Sequence, residues 1–451
     1  MSLTLNGGVP PIANASLHKE TRLLSSSYFA PITLCLLCIL VYQSVFTHTI
    51  LDHWDDQWVA VNAYTDAGFN LLNIKRVFTE FYRGQYAPLN EMFYIIIHAM
   101  FGYSGIAFHT ACLLIHMSNV LLVYYLIRKV LRQSNALSDI SQLRIPFITA
   151  VIFAVHPFLV ESVAWISASK NSLYATFYLI ALLTYLDYIK TARYRYFLLT
   201  MLFFILSFGA KEQAVTLPAC LLLFDHVLGD GLKKKSVWYD KVPFFLFSLF
   251  FGVVTLYSQA ANGEGVLTSN VTYPFYQRIP MCAYTLSEYT TKCIVPLKLS
   301  YLYPFPILLG EPLQMRFWIY PIVLVLIVVS FWSFWKKKWI FFGVGFFLIH
   351  ILLVSNLVSL ARNAIVADRY VYLASIGIFF TLAYLFDQLL NSRRLPYNIT
   401  WVLIFLYVSA LGTYAYQRSK VWHSVDTLKY ELRQLILERP DYDQMKEKYE
   451  K

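Results

Sequence analysis

The sequence predicts an all-α polytopic membrane protein, and three features predict it. Of 451 residues, 58% are hydrophobic and only 14% are charged, whereas about a quarter of the residues in a soluble domain are charged. Apolar runs of about 20 residues, long enough to cross a bilayer as a helix, recur along the chain. Short basic loops separate many of these runs. This composition excludes a water-soluble globule.

The basic residues indicate how the chain is oriented in the membrane. The formal net charge is +11, and most Lys and Arg residues cluster in short loops at Arg128, Lys129, Arg132 and Arg144, at Lys190, Arg193 and Arg195, at Lys233 to Lys235, at Lys336 to Lys338, and at Arg393 and Arg394. This is the distribution of cytosolic loops described by the positive-inside rule. The positive charge therefore predicts topology, and we expect no nucleic-acid partner.

Apolar length and flanking charge predict about eleven transmembrane helices. They cover residues 28–46, 106–127, 145–160, 173–189, 196–208, 214–228, 242–256, 318–335, 339–355, 370–390 and 401–416. We expect residues 1–27 to be a mobile cytosolic leader and residues 28–416 to be the membrane domain. Residues 417–451 are predicted to be a short extracytoplasmic tail with an amphipathic helix at 424–437.

The first extracytoplasmic loop, residues 47–105, is predicted to contain two helices that lie in the membrane interface. Residues 64–82 alternate as an amphipathic helix does, and residues 88–101 are apolar but too short to span. A later stretch contains Pro296, Pro304 and Pro306. Because proline interrupts regular helices, this stretch is predicted to be re-entrant or interfacial.

Two adjacent carboxylates, Asp55 and Asp56, follow the first apolar run and lie between Trp54 and Trp58. Tryptophan is enriched at membrane interfaces, and charge at such a position is costly unless it has a function or a partner. The pair therefore predicts a site at the mouth of a membrane-embedded cavity. A pair of solvated loop carboxylates is the alternative.

Further polar residues occur at the ends of predicted spans, on the same face as Asp55. They are His156, Glu161, Lys170, Lys211, Glu212, Asp368, Arg369 and Tyr370. Because desolvating charge is expensive, we expect these side chains to converge on a wet cavity or to pair with one another. Local ion pairs, such as Lys211 with Glu212 or Asp368 with Arg369, are the structural alternative.

Acids and bases beside a membrane cavity suit the chemistry of a polyprenyl-phosphate sugar. Cationic side chains hold phosphate, and a carboxylate takes a proton from an acceptor hydroxyl that attacks the anomeric carbon. The phosphate is a good leaving group, so a second acid is not obligatory. The six cysteines fall mostly inside apolar runs without zinc-type spacing, so no metal site is predicted, although a metal requirement stays open.

Six segments in order resemble a known family. They are WDDQWVAVN, FHTACLLIHMSNVLLVYYLIRKV, AVIFAVHPFLVESVAWISASKNSL, GAKEQAVTLPACLLLFD, PLKLSYLYPFP and ADRYVYLASIGIFF. Together they resemble the membrane domain of the GT-C glycosyltransferase superfamily, and most closely the transmembrane-and-tetratricopeptide O-mannosyltransferases and their bacterial relatives. The resemblance implies a GT-C fold.

The resemblance also implies roles for particular residues. It assigns the catalytic base to Asp55, with Asp56 as its neighbour, and it assigns the donor site to Glu161, Lys170, Lys211, Glu212 and Arg369, with the cations on the lipid phosphate. The chain departs from its relatives at Tyr86-Ala87-Pro88, where they commonly have Tyr-Arg-Pro, and at Ser169-Lys170-Asn171, where they often have Arg-Lys-Asp. No tetratricopeptide repeat follows Trp422, so we expect the acceptor-binding arm to be absent or supplied by a partner protein.

The expected function is therefore transfer of mannose or a similar hexose from a polyprenyl-phosphate donor to a hydroxyl of a protein or glycan acceptor. The reaction would take place on the periplasmic or lumenal face of the bacterial inner membrane or the endoplasmic reticulum. No cofactor is obligatory, and the partners are membrane lipid and the lipid-linked sugar. A transporter or flippase of lipid-linked glycan precursors is the alternative, but it predicts charges deep in the spans and pseudo-symmetric halves. A non-catalytic scaffold is a third hypothesis.

Overall fold

The computed structural model describes residues 20–52, 54–229, 231, 234–261, 273–307, 310–357, 364–392 and 394–437. The first half of the described chain contains α1 (Phe29–Tyr42), α2 (Asp56–Val59), α3 (Ala63–Ala67), α4 (Leu71–Thr79), α5 (Pro88–Phe101), α6 (Gly105–Ser134), α7 (Ser141–Val155), α8 (Glu161–Ala164), α9 (Ser169–Thr191), α10 (Tyr194–Ala210) and α11 (Leu217–Leu228). The second half contains α12 (Lys235–Tyr239), α13 (Val242–Ala261), α14 (Phe275–Ile294), α15 (Ile319–Ser330), α16 (Trp332–Trp335), α17 (Lys338–Ile351), α18 (Ser375–Asn391), α19 (Tyr397–Ser419) and α20 (Val425–Leu437). Short 3-10 turns join many of these helices.

Five helical stretches of the described chain are long and apolar enough to cross a membrane. They are Phe29–Thr47, Gly105–Ser134, Ile166–Thr191, Val237–Ala261 and Tyr397–Trp422. Shorter apolar helices cover Ser141–Val155, Tyr194–Ala210, Met315–Ser330, Lys338–Val354 and Ser375–Asn391. The chain is therefore an integral membrane protein built from helices, whereas the predicted number of about eleven spans is not confirmed.

Several predicted spans are shortened because the chain leaves the α-helical conformation before the apolar run ends. The predicted span 145–160 ends as a helix at Val155, where a proline-initiated 3-10 turn, Pro157–Leu159, follows. The predicted span 214–228 begins with a 3-10 turn, so α11 has only 12 residues. Hydropathy measures apolar length, and it does not detect these local changes of helix type.

Helix α7 is the centre of the bundle. Every residue from Ser141 to Val155 except Phe147 is buried, and α7 packs against α1, α6, α18 and α19. A helix that is surrounded on all sides needs no polar stripe, which explains why α7 shows no amphipathic pattern.

Helices α17 and α18 cross at two glycines. A Cβ atom on Gly343 would lie 2.6 Å from the carbonyl oxygen of Gly377, and a Cβ atom on Gly377 would lie 2.6 Å from the backbone nitrogen of Phe347. Small residues let helix backbones approach closely inside a membrane. This contact fixes α18, which follows the turn that carries Arg369.

The first loop folds into four short helices. Helix α5 has the predicted bounds 88–101, whereas the predicted helix 64–82 is divided into α3 and α4 at Gly68, which has a φ of +71°. Asn70 then caps α4 by accepting a hydrogen bond from the backbone nitrogen of Asn73.

The segment from α14 to residue 307 packs against α19, and its two ends are joined by a hydrogen bond. Tyr407, in the middle of α19, donates to the carbonyl of Ile294 over 2.8 Å, and Tyr273 donates to the carbonyl of Ile307 over 2.8 Å. The two ends of the segment therefore lie close together, and its re-entrant or interfacial character stays a prediction. Most of the segment is nevertheless the regular helix α14, because the three prolines come after it. Strand β1 (Tyr303–Pro304) then pairs antiparallel with β2 (Ala364–Val366).

Both ends of the described chain pack on the membrane domain. Helix α20 agrees with the predicted tail helix, and it buries Leu428 and Leu432. At the other end, Glu20 binds Arg144 at 2.6 Å, so the final part of the predicted mobile leader is ordered. Residues 1–19 lie outside the described part of the chain.

Candidate active site at one end of the bundle

Asp56, at the start of α2, anchors the first loop. Its Oδ2 atom accepts from the backbone nitrogen of Leu51 over 3.1 Å, and its Oδ1 atom accepts from the backbone nitrogen of Ser167 over 3.0 Å and from the Ser167 hydroxyl. Burial raises the pKa of Asp56 to about 6, although the hydrogen bonds from Ser167 and Leu51 oppose that rise. Both carboxylate oxygens are therefore used to hold the loop against the turn at Ile166–Ala168.

Asp55 lies in a different environment. It is half-buried, and its Oδ1 atom accepts from the indole Nε1 of Trp58 over 3.2 Å. In the part of the chain that the structure describes, no group donates a hydrogen bond to Oδ2. Asp55 therefore keeps an oxygen without a hydrogen-bond donor among the described residues, whereas both oxygens of Asp56 accept hydrogen bonds.

Arg369 is distant from Asp55 in the sequence, but it lies close enough in the fold for the two charges to interact. Its Nη1 atom lies 2.5 Å from Oε1 of Glu161, and its backbone nitrogen donates to Oε2 over 3.1 Å. Burial lowers the pKa of Arg369, but the charges of Glu161 and Asp55 contribute to raising it above its usual value. The Arg369 side chain is 26% exposed and that of Glu161 is 2% exposed, so the cation faces outward from a buried acid.

A second cation, Lys211, follows α10. Lys211 donates to the side-chain oxygen of Asn171, and its Nζ atom lies 5.0 Å from the ring centroid of Tyr370. The guanidinium carbon of Arg369 lies 5.1 Å from the same centroid. Tyr370 therefore contacts both cations, and the predicted residues Asp55, Glu161, Lys211, Arg369 and Tyr370 share one site.

Four aromatic residues, which we call the aromatic cluster, connect this site to the tail. Trp165 lies under the guanidinium of Arg369 at 5.5 Å and stacks on Trp422 with ring centroids 5.1 Å apart. Tyr301 contacts Trp422 at 6.2 Å and Trp54 at 5.6 Å. The cluster thus supports the segments that carry Asp55 and Arg369. The sequence analysis did not predict this cluster, because Trp54 is the only one of its four members that flanks the Asp55-Asp56 pair in the chain.

Asp368 precedes Arg369 in the chain and is buried, whereas the Arg369 side chain is partly exposed. Burial and the charge of Glu161 raise the pKa of Asp368 well above its usual range, while Arg418, Tyr303 and Lys292 oppose the shift. Arg418 also pairs with Glu431 of α20. Asp368 therefore belongs to a buried charge cluster that ties the tail to the site.

Three other predicted residues make no contact with the two cations among the interactions of the described residues. Lys170 donates to Oε1 of Gln85 over 2.7 Å, which places it beside the helices of the first loop. Glu212 is exposed. His156 is buried in the core, where its Nδ1 atom accepts from the backbone nitrogen of Phe158 and its ring lies 4.7 Å from that of Phe379.

Among the described residues, no group of three or more His, Cys, Asp or Glu side chains is arranged to hold a metal ion. The metal requirement therefore stays as open as the sequence leaves it.

Comparisons of the chain with protein-family models, curated proteins and solved structures found no match. The resemblance carried by the six motifs therefore remains an expectation.

Proposed function

We propose that the chain is a membrane glycosyltransferase that moves mannose or a similar hexose from a polyprenyl-phosphate to an acceptor hydroxyl. One observation carries this proposal. Asp55, which has an oxygen without a hydrogen-bond donor among the described residues, lies within the electrostatic field of Arg369 although more than 300 residues separate them. A base beside a cation is the arrangement that this reaction needs.

In the proposed reaction the oxygen of the acceptor hydroxyl attacks the anomeric carbon, and Asp55 takes the proton of that hydroxyl. The bond between that carbon and the phosphate oxygen breaks, and both of its electrons leave with the phosphate. Arg369 and Lys211 would hold this anion, because a guanidinium and an ammonium group both bind phosphate oxygens. A single displacement of this kind inverts the anomeric centre.

Glu161 and Tyr370 would orient the cations. Glu161 fixes the guanidinium at its buried side, which leaves the remaining N–H groups of Arg369 for a ligand. Tyr370 lies about equally far from Arg369 and Lys211, so the two positive charges would act on different oxygens of one phosphate.

We infer that this site faces the periplasm or the lumen. Helix α6 begins at Gly105, beside the first loop, and Arg128, Lys129 and Arg132 lie near its other end. The positive-inside rule would place that basic end in the cytosol, so the end that carries Asp55 would be extracytoplasmic.

The test is a transfer assay with the purified full chain in lipid nanodiscs. Polyprenyl-phosphate [³H]mannose is incubated with Ser/Thr-containing peptides and with oligosaccharide acceptors, and label in the water-soluble product is counted. The proposal expects label to move to an acceptor. Intact labelled lipid that crosses a proteoliposome membrane without any transfer would instead support a transporter and would overturn the proposal.

A further inference from the structure

A groove runs along the outer surface of the bundle between α1 and α19, and α7 forms its floor. Ile148, Val151 and Val155 of α7 line the floor, and their spacing of three and four residues places them on one helix face. Leu37 and Leu40 of α1 form one wall. The groove has a volume of about 610 Å³, which lies within the usual range for small-ligand sites, about 300–1,000 Å³. It therefore has room for a ligand.

The other wall of the groove is a straight row of side chains on α19. Ile404, Val408, Gly412 and Tyr416 line it at intervals of four residues, so they follow one another along a single helix face. At a rise of 1.5 Å per residue this row is about 18 Å long. One leaflet of a bilayer contributes about 15 Å of hydrocarbon, half of the whole core. The groove is therefore about as long as one leaflet, the length that an acyl chain covers.

The three helices come together at Gly412. A Cβ atom on Gly412 would lie 3.6 Å from Cγ2 of Val41 and 3.7 Å from Cβ of Val155, which are ordinary van der Waals distances. Further along, the hydroxyl groups of Ser44 and Ser419 share a hydrogen bond of 2.6 Å, which joins the ends of α1 and α19. A methyl group at Gly412 would thus be accommodated, whereas a longer side chain would occupy the groove.

The groove has a polar end, on the side of the bundle that carries the candidate active site. Gln43, Thr413 and Tyr416 line this end. The Nζ atom of Lys420 lies 4.2 Å from the ring centroid of Tyr416, and Lys420 is exposed. In the part of the chain that the structure describes, no carboxylate pairs with Lys420. Its positive charge is therefore available to a phosphate group at the mouth of the groove.

The groove and the candidate active site lie on different sides of α19. Tyr416 and Arg418 are two residues apart, so their side chains point about 200° apart around the helix. Tyr416 lines the groove, whereas Arg418 lies close enough to Asp368 for their charges to interact. A lipid whose phosphate binds Arg369 would therefore place its chain elsewhere, and a ligand of the groove does not depend on the proposed function.

We propose that this groove binds one acyl chain of an anionic glycerophospholipid, with the lipid phosphate beside Lys420. Hydrocarbon surrounds the groove in a bilayer, so its occupant is selected by packing and by charge rather than by the hydrophobic effect. The length of the groove fits an acyl chain, and the cation at its polar end attracts an anionic headgroup. The bound lipid braces α19, the helix that leads to Trp422 of the aromatic cluster.

Native mass spectrometry of the purified full chain in detergent micelles measures the headgroup preference. The probes are palmitoyl-oleoyl-phosphatidylglycerol and palmitoyl-oleoyl-phosphatidylcholine, added in equal amounts. We expect one phosphatidylglycerol per chain, bound in preference to phosphatidylcholine. Lys420→Gln should lower that preference about fivefold, the effect of one basic residue near a lipid surface. Lys338→Gln is the matched control, because Lys338 is also exposed beside an aromatic ring, 5.3 Å from Trp339, and that ring does not line the groove.

Variants that fill the groove test the position of the acyl chain. Gly412→Leu should lower phosphatidylglycerol binding about tenfold or more, because its side chain occupies the space of the acyl chain, whereas Gly412→Ala should retain binding. Ser409→Leu fills the same groove from three residues earlier, and it serves if Gly412→Leu does not fold.

Three results would overturn the proposal. They are equal binding of the two phospholipids to the unmodified protein, phosphatidylglycerol binding by the folded groove-filling variants within a few-fold of the unmodified protein, and displacement of phosphatidylglycerol from the groove by undecaprenyl phosphate as a third probe. None of these results depends on sugar transfer, so the proposed function is tested separately.

Discussion

Asp55 and Asp56 are neighbours in the chain, but the backbone directs their carboxylates into different surroundings. Asp56 accepts three hydrogen bonds in a buried position, whereas Asp55 accepts one from Trp58. The resemblance to the glycosyltransferases implies that Asp55 is the base and Asp56 its neighbour. This difference in hydrogen bonding supports the proposal that Asp55 is the base, since both oxygens of Asp56 already accept hydrogen bonds.

Replacing Asp56 should weaken folding more than it changes the chemistry. Asp56→Ala leaves the backbone N–H groups of Leu51 and Ser167 without acceptors, at a cost of about 1–3 kcal/mol for each buried group. Asp56→Asn retains one acceptor oxygen and should lose less. Thermal unfolding of the purified protein measures both, and an unchanged midpoint in Asp56→Ala would contradict the anchoring role.

The pKa of Asp56 also predicts how stability depends on pH. Because burial raises it from 3.8 to about 6, folding favours the protonated form. This contribution is complete below the unfolded pKa and is lost as the pH rises through about 6. The unfolding midpoint of the unmodified protein should therefore fall between about pH 4 and pH 6 relative to that of Asp56→Asn, whose side chain does not titrate. Parallel curves for the two proteins would be inconsistent with this shift.

Arg369 and Glu161 allow structural and functional effects to be separated. Arg369→Met leaves Glu161 buried without its partner, which should destabilise the protein by about 3–5 kcal/mol. The double variant Glu161→Gln/Arg369→Met removes both charges and should recover most of that stability. It should not recover sugar transfer, because the phosphate loses its guanidinium. Recovery of transfer would show that Arg369 has only a structural role.

At the scale of elements, close helix contacts and an aromatic cluster position the site. Helix α18 is held against α17 through Gly343 and Gly377, and the turn before α18 carries Arg369. Trp422, at the end of α19, supports Trp165 and Tyr301. Substitutions in these elements should therefore shift residues of the site even where the substituted residue does not contact them.

Adding a methyl group at Gly377 tests the helix contact. Gly377→Ala places a Cβ atom 2.6 Å from the nitrogen of Phe347, so the helices must separate, at a cost of about 1–3 kcal/mol. Gly252→Ala is the matched control, since its Cβ atom would meet nothing within 4 Å and alanine favours helix. Unfolding midpoints should therefore fall for the first variant and stay or rise for the second. An equal response of the two would argue against a close crossing.

Truncating Trp422 tests the aromatic cluster. Trp422 is 1% exposed, so Trp422→Ala should cost about 3–5 kcal/mol through the cavity it leaves. Trp422→Phe keeps a stacked ring on Trp165 and should retain more than half of that stability. We expect KM for the lipid donor to rise in the alanine variant at a temperature where it remains folded, because Trp165 and Arg369 lose support. An unchanged KM would limit the cluster to a role in folding.

At the scale of the whole molecule, buried charge is concentrated at the two ends of the bundle. One end holds Arg369 and Glu161, and the other holds Arg144 with Glu20 and Lys241 with Asp225. The helices between these ends are apolar and pack around α7. This arrangement agrees with the proposed site at one end, and the buried ion pairs among the described residues form no row of charges through the middle of the bundle.

Much of this architecture could be predicted from the sequence, because apolar length and amphipathic spacing are local properties. The bounds of helices α5 and α20 lie close to those that residue spacing predicts. Glu161, Lys211 and Arg369 lie together, as expected for charged side chains that are costly to bury alone. The prediction places Lys170 beside the cations, but Lys170 contacts Gln85, because consecutive helical residues point about 100° apart and it is the next residue, Asn171, that binds Lys211. The aromatic cluster could not be predicted, because its members come from four distant segments with no shared pattern.

The rate of sugar transfer by Asp55→Asn tests the central claim most directly. Asp52→Asn is the matched control, since Asp52 is an exposed acid of the same loop whose side chain makes no hydrogen bond to the described residues. With equal amounts of folded protein, we predict that Asp55→Asn lowers the single-turnover rate by about 10²–10⁴-fold and that Asp52→Asn leaves it unchanged. A rate for Asp55→Asn within a few-fold of the unmodified protein would contradict the assignment of Asp55 as the base.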